Sequence, residues 1–241
     1  MERRSVLKAG LVLIATSAAA SIFRPAGAAL RVLTGGSRWH AKETLPPASV
    51  DPSKRVFLSD KEYAQVTAIF DRLIPADELS PSASQSGCVV FVDHQLAGPY
   101  GRGDARYRKG SEQKGTPTQG DQSLRTAAEL YRTGLAELDT CCVKQYGKGF
   151  EALDHGQQDA LLEQMEGGAL VLGTIPSEAL FKVLLTNVQE GFFADPLYGG
   201  NKDMAGWKMI GFPGARYDYR DVLSQKGQKI DLIPVSLIGR I

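Results

Sequence analysis

Four stretches of this chain repeat apolar residues at helical spacing, and none alternates apolar and polar residues over more than a few positions. That periodicity restricts the fold to a mainly helical one. In "SDKEYAQVTAIFDRLIP", Tyr63, Val66, Ile69, Phe70 and Leu73 share a face. Ser59 with Glu62 forms a capping box, and Pro75 stops the helix. From about Leu124 to Tyr146, one face carries Leu124, Ala127, Ala128, Tyr131, Leu135, Leu138 and Cys142, ending at Gly147 and Gly149. "DHGQQDALLEQMEGG" starts on Asp154 as a cap and buries Leu161, Leu162 and Met165. "PSEALFKVLLTNVQEGFF" opens with Pro176 and carries Leu180, Phe181, Leu184, Leu185 and Val188. "GCVVFVDHQLAG" fits a short helix or a buried strand, with Gln95-Leu96-Ala97 leaning to helix. The expected fold is a small irregular helical domain with long loops and no internal repeat.

The N-terminus has the layout of an export signal. Arg3 and Arg4 precede an apolar run, Leu11 to Phe23, which ends in small residues at Ala26-Gly27-Ala28. The arginine pair marks the twin-arginine subtype, which carries folded proteins. The run is shorter than the roughly 20 residues of a membrane span, although an uncleaved anchor is the alternative. We read residues 1–28 as signal, 29–57 as an extended N-terminal arm, 58–224 as the helical domain and 225–241 as a C-terminal tail. Without the signal, 24 basic residues face 26 acidic ones. That balance gives no electrostatic case for nucleic acid or an anionic membrane.

No constellation for chemistry stands out. The three histidines, His40, His94 and His155, lack the spacing of metal ligands on one helix face. Asp93 and His94 are sequence neighbours, which do not face each other on a helix. There is no C-x-x-C, no G-x-G-x-x-G after a strand and no G-x-S-x-G, so no cofactor, metal or nucleophile site is expected in this chain. The carboxylates are scattered, with a solvated helix face as the default. Cys88, Cys141 and Cys142 are an odd set for an oxidising compartment. Either one of the adjacent pair bridges to Cys88, leaving the other for a partner chain, or all three are buried and reduced.

Two irregular segments remain. Residues 98–120 hold 6 glycines, 5 basic and 2 acidic residues in 23 positions, a loop long enough to be functional or to cover a partner. Residues 192–221 hold 7 of the 19 aromatics: Phe192, Phe193, Tyr198, Trp207, Phe212, Tyr217 and Tyr219. Glycines and prolines interleave with them and exclude a regular helix. Together with Arg216 they form a candidate docking surface, some rings turned inward and some towards a partner.

"FDRLIPAD" (70–77), "DHQLAGPYG" (93–101) and above all "GFFADPLYGGNKDMAGWKMIGFPGARYDYRD" (191–221) resemble the gluconate 2-dehydrogenase subunit 3 family, over about residues 56–224. The resemblance implies a non-catalytic periplasmic subunit, associated with the inner membrane only through its complex. Its implied partners are an FAD-containing large subunit and a multihaem cytochrome c subunit carrying haem c. In such complexes the flavoprotein often crosses on the small subunit's twin-arginine peptide. Arg3, Arg4, Leu7 and Lys8 match that signal pattern, while Glu2 and Val6 depart from it. The competing expectation is a stand-alone periplasmic enzyme or sugar-binding protein that uses the aromatic–glycine segment as a carbohydrate platform.

Overall fold

The computed structural model describes residues 49–106, 115–116, 123–216, 218–228 and 232–238. The chain divides into Met1–Leu45 and Pro46–Ile241, and every described residue belongs to the second unit. The signal residues Arg3, Arg4, Leu7 and Lys8, most of the arm, and Tyr217 lie outside the described residues.

Seven α-helices form among the described residues: α1 (Asp60–Leu73), α2 (Cys88–Ala97), α3 (Pro99–Arg102), α4 (Ala127–Tyr146), α5 (His155–Glu166), α6 (Ser177–Phe193) and α7 (Ala205–Ile210). No strand is present among them; Gly214 and Val235 make an isolated parallel bridge. The ambiguous segment at 88–97 is a helix.

The helix starts follow local chemistry. Ser59, Thr126 and Asp154 each cap a helix and complete a capping box with Glu62, Glu129 and Gln157, respectively. Each box satisfies N–H groups that a helix start leaves without partners. Sequence reading missed the box at Thr126 and started α4 too early, at Leu124. Leu124 lies before the cap and is exposed.

α6 is the central helix and touches α1, α2, α4, α5 and α7. Its buried residues include Leu180, Phe181, Leu184, Val188 and Phe192. They meet Val66, Ile69 and Phe70 of α1, Tyr131, Leu135 and Leu138 of α4, and Leu161 and Met165 of α5 in one core. Gly134 of α4 faces the Leu180 side chain, and Gly191 of α6 faces Cys88 and Phe91 of α2. Small residues at these crossings let the helices approach closely.

Carboxylates hold the loops to this core, against the expectation that they sit on solvated faces. Asp71 accepts from the Ser84 N–H (2.8 Å) and hydroxyl (2.7 Å). Arg72 grips Asp159 through two parallel bonds of 2.7 Å, tying α1 to α5. Glu137 of α4 accepts the N–H groups of Gly173, Thr174 and Ile175 at 2.7–3.0 Å.

Candidate partner interface

The three stretches that carry the family resemblance prove to be anchoring positions. In α2, Asp93 is buried and takes three successive N–H groups of the arm's end. Val56 donates to Oδ2 (2.7 Å); Phe57 (3.0 Å) and Leu58 (2.6 Å) donate to Oδ1. His94 Nε2 lies 3.0 Å from the Lys54 carbonyl oxygen. Arg132 of α4 stacks 4.0 Å over the Phe57 ring and also bonds the Phe57 carbonyl and Glu62. The described end of the arm is therefore fastened to α2 and α4. Further back, the Val50 N–H donates to the Leu197 carbonyl at 3.1 Å, inside the aromatic–glycine segment.

That segment begins with the last turn of α6, since Phe192 and Phe193 are helical, and then folds back across it. Asn201, fully buried, holds the turn. Its Nδ2 donates to the Ala194 carbonyl (2.8 Å), and its Oδ1 accepts the Gly206 N–H (2.9 Å). Asn201, Asp203 and Met204 all take left-handed φ values, 47°, 56° and 56°. Such a cluster persists only when its surroundings enforce it. The surroundings are backbone on backbone: a Cβ on Gly200 would collide with the Gly191 carbonyl, and one on Gly206 with the Phe192 carbonyl. Gly200 and Gly206 are thus contact positions, whereas Gly211 has open space around it.

The rings divide between interior and solvent. Phe192 (1% exposed) and Trp207 face the core, and Trp207 Nε1 donates to the Phe193 carbonyl at 2.8 Å. Phe193, Tyr198, Phe212 (40% exposed) and Tyr219 (42% exposed) face solvent. Phe212 meets Trp207 edge to face at 5.2 Å, and the Arg216 guanidinium sits 5.8 Å from the Tyr219 ring centroid. Between α7 and Tyr219 lies an open groove of about 520 Å³, walled by Met209, Ile210, Phe212, Pro213 and Leu232, with Lys208 at its edge.

The stretch read as a tail is part of this structure. Asp195 accepts the Leu197 N–H (2.9 Å) and Ser236 hydroxyl (2.9 Å) on Oδ1 and the Leu237 N–H (2.8 Å) on Oδ2. The Ala215 N–H donates to the Val235 carbonyl at 2.6 Å, and the Val235 N–H to the Pro213 carbonyl at 3.2 Å. The arm, the fold-back segment and residues 232–238 converge here.

The interior polar groups form a packing network. Tyr131 and Tyr100 donate to Asn187 Oδ1 (3.1 and 3.2 Å), and Asn187 Nδ2 reaches Glu190 (2.8 Å). Burial pushes the Tyr131 hydroxyl well above its ordinary pKa and keeps it a donor. No three His, Cys, Asp or Glu side chains converge as metal donors among the described residues. Of the two alternatives for the cysteines, the structure has no bridge: all three are free thiols, Cys88 and Cys142 buried and Cys141 half-buried. Burial is the main cause that pushes the Cys88 and Cys142 thiols up to about 12.

The sequence profile of the gluconate 2-dehydrogenase subunit 3 family matches residues 60–214, more than half of the chain. The chain belongs to the gluconate 2-dehydrogenase subunit 3 family. No curated protein and no solved structure matches it. The match runs from the first residue of α1 through the fold-back to Gly214, so the subunit 3 region takes in the anchors at Asp93, Asp195 and Asn201. Sequence reading singled out the aromatic segment but missed those anchors. Asp93 shared a quoted motif with His94, yet its partners lie 35–37 residues away.

Proposed function

We propose that this chain is the non-catalytic small subunit of a periplasmic, membrane-associated flavoprotein dehydrogenase that oxidises gluconate, a related sugar acid or a polyol. It steadies the FAD-containing large subunit and brings it across the membrane by the twin-arginine route. A multihaem cytochrome c subunit completes the complex; FAD and haem c belong to those partners. Family membership supports the reading. The observation that carries it is the outward-facing set of Phe193, Tyr198, Phe212 and Tyr219, displayed on a segment fastened to the core by backbone contacts and Asn201. Aromatic anchors on a rigid support are what a stable subunit contact requires.

The test is co-expression with the FAD-containing subunit and purification through a tag on this chain. A complex that carries flavin absorbance and survives gel filtration is expected. Recovery of this chain alone, with the flavoprotein exported without it, would contradict the reading. Sugar binding or turnover by the isolated chain would favour the stand-alone alternative.

A further inference from the structure

Among the described residues, three that are not glycine hold left-handed φ values: Asn201 (47°), Asp203 (56°) and Met204 (56°). Any side chain there adds a steric cost that glycine escapes. Elsewhere in the fold-back the chain does place glycine in that conformation, as at Gly199 and Gly214. Each of the three therefore needs a use for its side chain that offsets the cost. Asn201 has one, since its amide bonds the Ala194 carbonyl and the Gly206 N–H. Met204 has one in the interior, where it is 2% exposed. Asp203 has none within the chain. It is exposed, and among the described residues its carboxylate takes neither a hydrogen bond nor an ion pair.

The position is also fixed in space. On one side the Lys202 N–H donates to the Ser86 carbonyl at 2.9 Å. On the other the Met204 N–H donates to the Asn201 carbonyl at 2.8 Å, with Met204 itself buried. Asp203 is thus held rigidly on the segment that carries the exposed Tyr198 and Phe212 rings. Other exposed carboxylates without a partner, such as Glu163 of α5, sit in ordinary helical backbone and carry no such cost. A strained residue kept where glycine would be more stable is the mark of a functional position.

We propose that Asp203 is a contact residue for the FAD-containing large subunit, its carboxylate receiving a guanidinium or ammonium group of that subunit; this rests on the reading of the chain as a dehydrogenase subunit. The charge decides the counterpart, and the rigid turn spares the ordering cost that a mobile side chain incurs on binding. Such a pair governs orientation and association rate more than affinity, and it weakens as salt is raised.

Asp203→Gly, Asp203→Asn and, as a control, Glu163→Gln are compared in two measurements: the urea midpoint of the full chain alone, and the large subunit recovered with it after co-expression. Asp203→Gly relieves the left-handed cost and removes the carboxylate. It should raise the midpoint yet lower the recovered large subunit roughly fivefold at low salt. Asparagine also tolerates left-handed backbone, so Asp203→Asn should leave the midpoint unchanged and show the same loss, shrinking as salt is raised. Glu163→Gln should match the parent in both. The assignment is overturned by a midpoint that Asp203→Gly leaves unchanged or lowers, or by full retention of the large subunit in either Asp203 variant at low salt. A loss that Glu163→Gln shares, or that high salt does not shrink, overturns it too. Each of these results leaves the subunit reading intact, whereas failure of the unaltered pair to co-purify overturns both.

Discussion

Asp93 shows how much of this protein rests on single side chains. Its carboxylate accepts the N–H groups of Val56, Phe57 and Leu58. Asp93→Asn would turn an acceptor into a donor facing donors, and should cost roughly 2–4 kcal/mol, read as a lowered urea midpoint. An unchanged midpoint would mean that the arm is not held this way. The thiols give a second test. Cys88 and Cys142, pushed up to about 12 mainly by burial, should resist alkylation in the folded protein, with Cys141 reacting first. Their folded pKa lies above the unfolded value, so folding favours the neutral thiol. That contribution is intact below the unfolded thiol pKa and fades as pH rises towards about 12. Denaturant titrations from pH 8 upward should show stability falling, and Cys88→Ala should flatten the fall. The burial of Cys142 was legible in the helical period of its segment, but the role of Asp93 was not, because its backbone partners 35–37 residues away leave no local pattern.

At the scale of elements, the helices were legible and the joints were not. Apolar faces and caps at Ser59 and Asp154 are local signals, and α1, α5 and α6 formed where periodicity placed them. The glycines of the fold-back read as breakers, yet several mark close contact. Gly200→Ala should therefore destabilise by roughly 1–3 kcal/mol and also weaken large-subunit binding, since the clash is with backbone that cannot turn aside. Gly147→Ala is the comparison. Gly147 ends α4 with φ +73° and open space around it, so alanine there should cost about 1 kcal/mol and leave binding unchanged. Equal effects at the two positions would refute the packing argument. The C-terminal stretch was read as a tail because its pairing partners, Asp195 and Gly214, are remote in sequence.

At the scale of the whole molecule, the described residues form a helical body built around α6, and the chain belongs to the gluconate 2-dehydrogenase subunit 3 family. Under the function proposed above, Arg3 and Arg4 would serve a cofactor carried by another chain. The direct measurement is the distribution of flavin-dependent dehydrogenase activity between periplasm and cytoplasm in cells expressing the complex with Arg3→Lys and Arg4→Lys together. Both chains and the activity should stay in the cytoplasm. Activity that reaches the periplasm while this chain is stranded would contradict the central claim.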